Sequence, residues 1–172
     1  GLGWEVLHEA NPRLVYASLT GYGRSGPYRD YPAMDLTIQA MAGIMSVTGY
    51  QEMPPVKAGP AIVDYMGGAN LYAAIMTAMF QRERTGRGQK VEISLQEAIY
   101  PALSSNLGLF FAGKGTQRTG NRHGGLASSP YNVYPSSDGF LAIICIAEHQ
   151  WRALTRVMGQ PELAGDPRFA TL

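Results

Sequence analysis

The chain has 172 residues, of which 45% are apolar and only 16% charged, and its formal net charge is +1. A net charge this close to zero gives no electrostatic reason to expect a nucleic-acid or acidic-membrane partner. The single cysteine, Cys145, excludes an internal disulfide framework. The apolar run at 140–147 is far shorter than the ~20 residues of a membrane-spanning helix. Composition therefore predicts a globular, cytoplasmic protein.

Apolar spacing predicts alternating helices and strands in the first two thirds of the chain. In chain order these are a helix at 4–9, a strand at 14–19, helices at 35–47 and 65–84, a strand at 90–95 and a helix at 96–111. The helix at 65–84 is apolar nearly all round, which is typical of a buried helix. The alternation predicts an α/β fold with parallel strands.

Glycines at five positions between 113 and 125 predict a flexible connector and a domain boundary. Beyond it, residues 131–145 read as a hairpin around a turn at 136–139. A helix is predicted over 148–158, with Trp151, Leu154 and Val157 on one face.

Three motifs are weighed against structural roles. Gly21, Gly23 and Gly26 match a dinucleotide-binding fingerprint, but prolines follow where its helix should run, so these glycines are expected only to shape a loop. Cys145 lies among large aliphatic residues and is expected to be a small buried residue. His123 lies in a glycine-flanked loop that can wrap around an anion. The alternative is that His123 is a solvated loop residue without a binding role.

Asp64 is the only acidic residue between Glu52 and Glu83, and it precedes the apolar helix directly. As an N-cap, its carboxylate accepts amide hydrogen bonds and meets the positive end of the helix dipole. An apolar helix is expected to begin deep in the fold, where a buried carboxylate needs a further reason. Gly67 and Gly68 are expected to leave the first turn bare, so that a ligand can approach the backbone. Capping alone and capping combined with catalysis both fit these residues.

Seven blocks of the sequence form a distinctive combination: 11–28, 32–35, 41–49, 82–91, 120–123, 129–131 and 137–139. They resemble the class III coenzyme A-transferase family, also called the CaiB/BaiF family, and the resemblance covers essentially the whole chain. It implies a central fragment of a longer protein. Residues 1–112 would end a Rossmann-like parallel-sheet large domain, 113–128 would be a glycine-rich linker, and 129–172 would begin a smaller α+β domain.

The resemblance implies a transferase that moves CoA between an acyl-CoA and a free carboxylic acid, with Asp64 at the position of the family's catalytic aspartate. The Asp64 carboxylate would attack the thioester to form a mixed anhydride, and the CoA thiolate would convert this into an aspartyl-CoA thioester. The acceptor carboxylate would complete the exchange through a second anhydride. CoA is then a substrate, and neither a bound cofactor nor a metal is expected.

Further site residues follow from the same resemblance. Anhydrides hydrolyse easily, so a flap must exclude water, and the candidates are His123, Gly124 and Gly125. The backbone near Gly67 and Gly68 is the candidate for holding oxyanion charge.

The same resemblance implies that Ala33 and Met34 lie along the CoA chain. The α-methylacyl-CoA racemases of the family carry a His at position 34, where this chain has Met34. Because racemisation needs an acid and a base, and a thioether cannot move protons, Met34 favours CoA transfer over the racemase alternative. A catalytically inert isolated fragment is a further alternative. For the full-length protein, the resemblance implies an interlocked homodimer with neither a nucleic-acid nor a membrane partner.

Overall fold

The computed structural model describes residues 1–169, and its helices and strands follow the predicted order. They are α1 (Trp4–Ala10), β1 (Tyr16–Thr20), α2 (Asp35–Met41), α3 (Ile44–Val47), α4 (Ile62–Thr85), β2 (Lys90–Ser94), α5 (Leu95–Ile99), α6 (Ser104–Phe111), β3 (Tyr131–Pro135), β4 (Phe140–Ile144) and α7 (Glu148–Val157). Within residues 1–169, no helix is both long and apolar enough to cross a membrane.

The chain divides into two compact units. The first unit comprises Gly1–Met45 and Lys57–Ser104, and the second comprises Ser46–Val56 and Ser105–Leu172. These limits differ from the predicted segments because residues 46–56 and 105–112 pack with the later part of the chain. The predicted domain limits of the family remain a prediction, and residues 170–172 of the last segment lie outside the described residues.

In the first unit, β1 and β2 pair in parallel, with Tyr16 opposite Lys90 and Thr20 opposite Ser94. Parallel strands need a crossover, and α4 supplies it while packing on both strands and on α5. The expectation of an α/β fold with parallel strands is therefore confirmed. The chain from 21 to 34 forms bends and turns rather than a helix, as its prolines predict.

The crossover helix α4 has 24 residues and ends at Gly86, which takes a left-handed conformation with φ of 72°. Its expected burial on all sides is wrong. One face, with Val63, Gly67 and Ala78, is buried, but the opposite face exposes large side chains. The exposed side chains include Tyr65, Tyr72, Met76 and Phe80. The apolar composition indicated that this helix can be buried, but it did not indicate which of its faces are buried.

Two predicted helices are interrupted. The helix expected at 35–47 is split into α2 and α3 around Gly43, whose φ is 94°. The helix expected at 96–111 is split into α5 and α6 by a 3-10 turn, Tyr100–Leu103, which contains Pro101 near its start. A left-handed glycine and a proline each break the regular hydrogen-bond pattern of an α-helix.

In the second unit, β3 and β4 form the predicted antiparallel hairpin, with Pro135 opposite Phe140. The predicted helix α7 is also present and buries Trp151, but Val157 is exposed. Cys145 is buried, as expected.

Part of the glycine-rich connector is held by hydrogen bonds to residues 49–53. Thr119 forms a β-bridge with Tyr50, and the amide of Gly120 donates to the Gly49 carbonyl at 2.8 Å. Arg118 donates to three backbone carbonyls between residues 50 and 53. Low side-chain content predicted flexibility here, but backbone pairing does not depend on side chains.

Candidate active site

Asp64 is the third residue of α4, and its side chain is exposed. The N-cap position belongs to Ala61, so the predictions that Asp64 caps the helix and that it is buried are both wrong. Within residues 1–169, the Asp64 carboxylate has no hydrogen-bond or ion-pair partner.

The cap of α4 comes from Asp35, the first residue of α2. Ala61 has no side chain that can accept a hydrogen bond, and the amides in the first turn of a helix lack intrahelical partners. Oδ2 of Asp35 accepts the amide of Val63 at 2.9 Å and that of Asp64 at 3.3 Å. The backbone of the candidate nucleophile is therefore bonded to a residue 29 positions earlier.

The Gln39 side chain binds the other carboxylate oxygen of Asp35. Its side chain is completely buried, and its Nε2 donates to Oδ1 of Asp35 at 2.5 Å. Its Oε1 accepts the amide of Ala58 at 2.8 Å, in the loop that leads into α4. A buried amide side chain must satisfy both its donor and its acceptor, and this one does. Asp35 and Gln39 thus join α2, the preceding loop and the start of α4.

Gly67 and Gly68 lie in the second turn of α4, and their expected place in the first turn is wrong. Amides at this depth donate to carbonyls four residues earlier, so neither glycine offers a free amide to an oxyanion. Gly67 is buried, and a Cβ there would collide with the Leu95 side chain. Gly68 is exposed with open space around it.

Position 68 matters for Asp64 because it lies one helical turn further along the same face. Helical side chains lean toward the N-terminus and cover the turn before their own Cα. A side chain at position 68 would therefore lie over Asp64. Glycine at this position leaves the carboxylate open to an approaching molecule.

Ala33 and Met34 precede Asp35 directly, so the same network fixes their backbone. Thr37 accepts the Met34 amide through its hydroxyl at 2.9 Å, and the Met34 side chain is 72% exposed. Ala33 packs so closely on Gly21 that a Cβ at position 21 would overlap it. The first unit thus brings the predicted CoA-contacting residues and Asp64 to one end of α2 and α4.

The three flap candidates belong to the second unit. The Nδ1 atom of His123 accepts the amides of Gly125 and Ala127 at 3.2 and 3.3 Å. The imidazole also packs edge-on against Tyr131, at 5.4 Å between ring centroids. His123 and Gly124–Gly125 therefore form a turn braced by its own histidine.

A cavity of about 500 Å³ lies in the first unit between β1 and the later part of α4. Its wall includes Arg13, Ile75, Met79 and Arg82, and Asp64 does not line it. Within the described part of the chain, no group of three or more histidine, cysteine or acidic side chains has the geometry of a metal site.

Asp35 and Gln39 are the residues that sequence reasoning missed. Two signals were present. The segment before α4 contains no residue suited to capping at position 61, so the cap had to come from elsewhere. Asp35 and Gln39 are also spaced at i and i+4, which brings their side chains together on a helix.

The first unit is thus an α/β fold that exposes the Asp64 carboxylate near the start of α4. The chain matches the family model described as CoA-transferase family III over residues 1–172, and it belongs to that family. It is 41% identical to an acetyl-CoA:oxalate CoA-transferase of Acetobacter aceti, covering 98% of this chain and 43% of the relative. It is 37% identical to a succinate–glutarate CoA-transferase of Agrobacterium fabrum, covering 99% of this chain and 42% of the relative.

A solved structure of a CaiB/BaiF family protein from Brucella suis superposes with a TM-score of 0.81 at 37% identity. The superposition covers 99% of this chain and 45% of the solved chain. The sequence resemblance to this family is therefore confirmed. The chain spans less than half the length of the curated relatives it matches.

Proposed function

We propose that the protein containing this chain transfers CoA from an acyl-CoA to a free carboxylic acid, with Asp64 as the nucleophile. The observation that carries the proposal is the contrast within one residue. The Asp64 amide is held by Asp35, whereas its exposed carboxylate has no partner within residues 1–169. An ionised carboxylate needs no general base, so the lack of a bonded His or Lys at the Asp64 carboxylate within residues 1–169 fits this role.

The reaction proceeds through four displacements at carbonyl carbons. An Asp64 carboxylate oxygen attacks the thioester, the C–S bond breaks, and CoA leaves as thiolate from a mixed anhydride. The thiolate attacks the aspartyl carbonyl and expels the donor acid, which leaves an aspartyl-CoA thioester. The acceptor carboxylate then attacks this thioester and releases the thiolate again. Attack of the thiolate on the acceptor acyl carbon forms the new acyl-CoA and regenerates Asp64.

The space over Gly68 supports access of a thioester to Asp64, since a Cβ there meets no atom within 4 Å. Ala33 and the exposed Met34 are proposed to contact the CoA chain, beside the residue that holds Asp64. A water-excluding role for His123, Gly124 and Gly125 remains a prediction. An interlocked homodimer and a cytoplasmic location likewise remain predictions for the longer protein.

The test compares Asp64→Ala with Glu83→Gln in the longer protein. Glu83 is an exposed acid at the other end of α4, so its variant controls for loss of an acidic charge from this helix. Removing a covalent nucleophile costs about 10⁴-fold or more in kcat, so Asp64→Ala is expected to abolish exchange. Hydroxylamine added with acyl-CoA should convert Asp64 to a hydroxamate, which mass spectrometry locates. A hydroxamate found elsewhere, or activity retained by Asp64→Ala, would refute the assignment.

The racemase alternative gives a separate result. The protein is incubated in deuterated water with a 2-methylacyl-CoA and no acceptor acid. CoA transfer through Asp64 leaves the α-hydrogen in place, because only carbonyl carbons are attacked. Deuterium at the α-carbon would show racemase chemistry despite Met34.

A further inference from the structure

We infer that Asp35 is a positioning residue that keeps the Asp64 carboxylate available for attack by occupying the amides at the start of α4. The inference rests on the proposed function of Asp64. Asp35 itself touches neither substrate nor product in this account. It acts on Asp64 through the backbone.

The geometry makes Asp35 a cap supplied from another helix. Its Oδ2 accepts the amides of Val63 and Asp64, the second and third residues of α4, at 2.9 and 3.3 Å. One of these two amides belongs to the nucleophile itself. Asp35 therefore fixes the Asp64 backbone relative to the residues at 33 and 34.

Asp35 is itself held in a defined position. Its other oxygen, Oδ1, accepts from Gln39, whose completely buried side chain also binds the Ala58 amide. Both ends of Gln39 are used, so neither it nor Asp35 can turn without breaking a hydrogen bond. The network therefore has one arrangement of donors and acceptors.

Occupied amides prevent Asp64 from capping its own helix. An acidic side chain near the start of a helix can turn back and accept the N–H of its own residue or of a neighbouring one. Here the amides of Val63 and Asp64 already have an acceptor, the carboxylate of Asp35. Without Asp35, the Asp64 carboxylate is drawn to its own helix terminus and away from an incoming thioester.

The experiment uses the variants Asp35→Asn, Gln39→Glu and their combination in the longer protein. Asp35→Asn replaces one acceptor oxygen by an NH2 group, which faces either the Gln39 amide group or the backbone amides of α4, so two donors oppose each other in either orientation. Gln39→Glu alone opposes two carboxylates. The double variant restores a donor–acceptor pair and the original total charge, since the Asn amide group then donates to Glu while Glu still accepts from Ala58.

The expected result for Asp35→Asn is a loss in kcat on the order of 10- to 100-fold with little change in KM, as for a displaced catalytic group. The rate at which Asp64 is acylated, trapped with hydroxylamine, falls by the same factor. The double variant recovers most of this loss. Ser94→Ala is the matched control, because it removes the side-chain cap of α5, a bond of 3.1 Å to the Glu97 amide, elsewhere in the first unit. Its acylation rate is expected to match that of the unmodified protein.

An unchanged acylation rate in Asp35→Asn overturns the inference. So does a loss that Ser94→Ala shares, or one that the double variant fails to recover, since both indicate general destabilisation. If Asp35→Asn does not fold, the contrast between Gln39→Glu and the double variant decides, and recovery in the double variant is the supporting result. Failure of the proposed function is distinct, because it appears as activity in Asp64→Ala.

Discussion

Replacing each of the two adjacent glycines of α4 by alanine should change stability in different directions. Gly68→Ala adds a methyl group where no atom lies within 4 Å, on an exposed helix face. Alanine is favoured over glycine inside a helix by about 0.8–1.0 kcal/mol, so this variant should stabilise α4 by about that amount. Gly67→Ala has the same gain in helix propensity, but its Cβ overlaps the Leu95 side chain and contacts Leu19.

The size of the difference follows from packing. Inserting a methyl group into a filled core costs about 1–3 kcal/mol. Subtracting the propensity gain leaves Gly67→Ala between neutral and about 2 kcal/mol less stable. The two variants should therefore differ by about 1–3 kcal/mol, although their composition is identical.

The assay is hydrogen exchange by mass spectrometry on peptides spanning α4 in the longer protein. Exchange protection measures the free energy of local opening, so it isolates this helix from other domains. Slower exchange is expected in Gly68→Ala and equal or faster exchange in Gly67→Ala. Equal protection of both variants, or loss of protection in Gly68→Ala, would refute the packing argument.

Two further predictions concern the second unit. Arg118→Met removes hydrogen bonds to three carbonyls between residues 50 and 53, and should destabilise this unit by about 1–2 kcal/mol in urea unfolding. The Arg168 side chain and then its amide donate to Asp166, which lowers the pKa of that carboxyl from 3.8 to about 2. Because the folded pKa is lowered, the stabilisation is complete above the ordinary value and is lost as pH falls through about 2. In a carboxyl NMR titration, Arg168→Ala should return this pKa toward 3.8.

Local patterns were sufficient for most elements of the fold. Apolar spacing predicted a helix at 65–84, where α4 runs from Ile62 to Thr85, and the predicted strand at 90–95 and the hairpin are also present. The start of α4 was predicted three residues late. The reason is that its cap, Asp35, is distant in sequence, so no local signal marked Ile62 as helical.

The candidate site was harder to predict than the fold because its features depend on neighbours. The sequence treats Gly67 and Gly68 as equivalent, whereas packing makes the first a contact point for Leu95 and the second an open position. Burial of α4 was overestimated for a similar reason. Apolar composition does not indicate which face of α4 packs against other residues of the chain.

The link between Asp35 and Asp64 also bears on the racemase alternative. Residue 34 is the position at which the resemblance implies His in the racemases of this family, and it immediately precedes Asp35, which accepts the Asp64 amide. Met34 is exposed and its side chain is not needed for the network, which uses only Asp35 and Gln39. We therefore expect a substitution of the Met34 side chain to leave the hydrogen bond between Asp35 and the Asp64 amide in place.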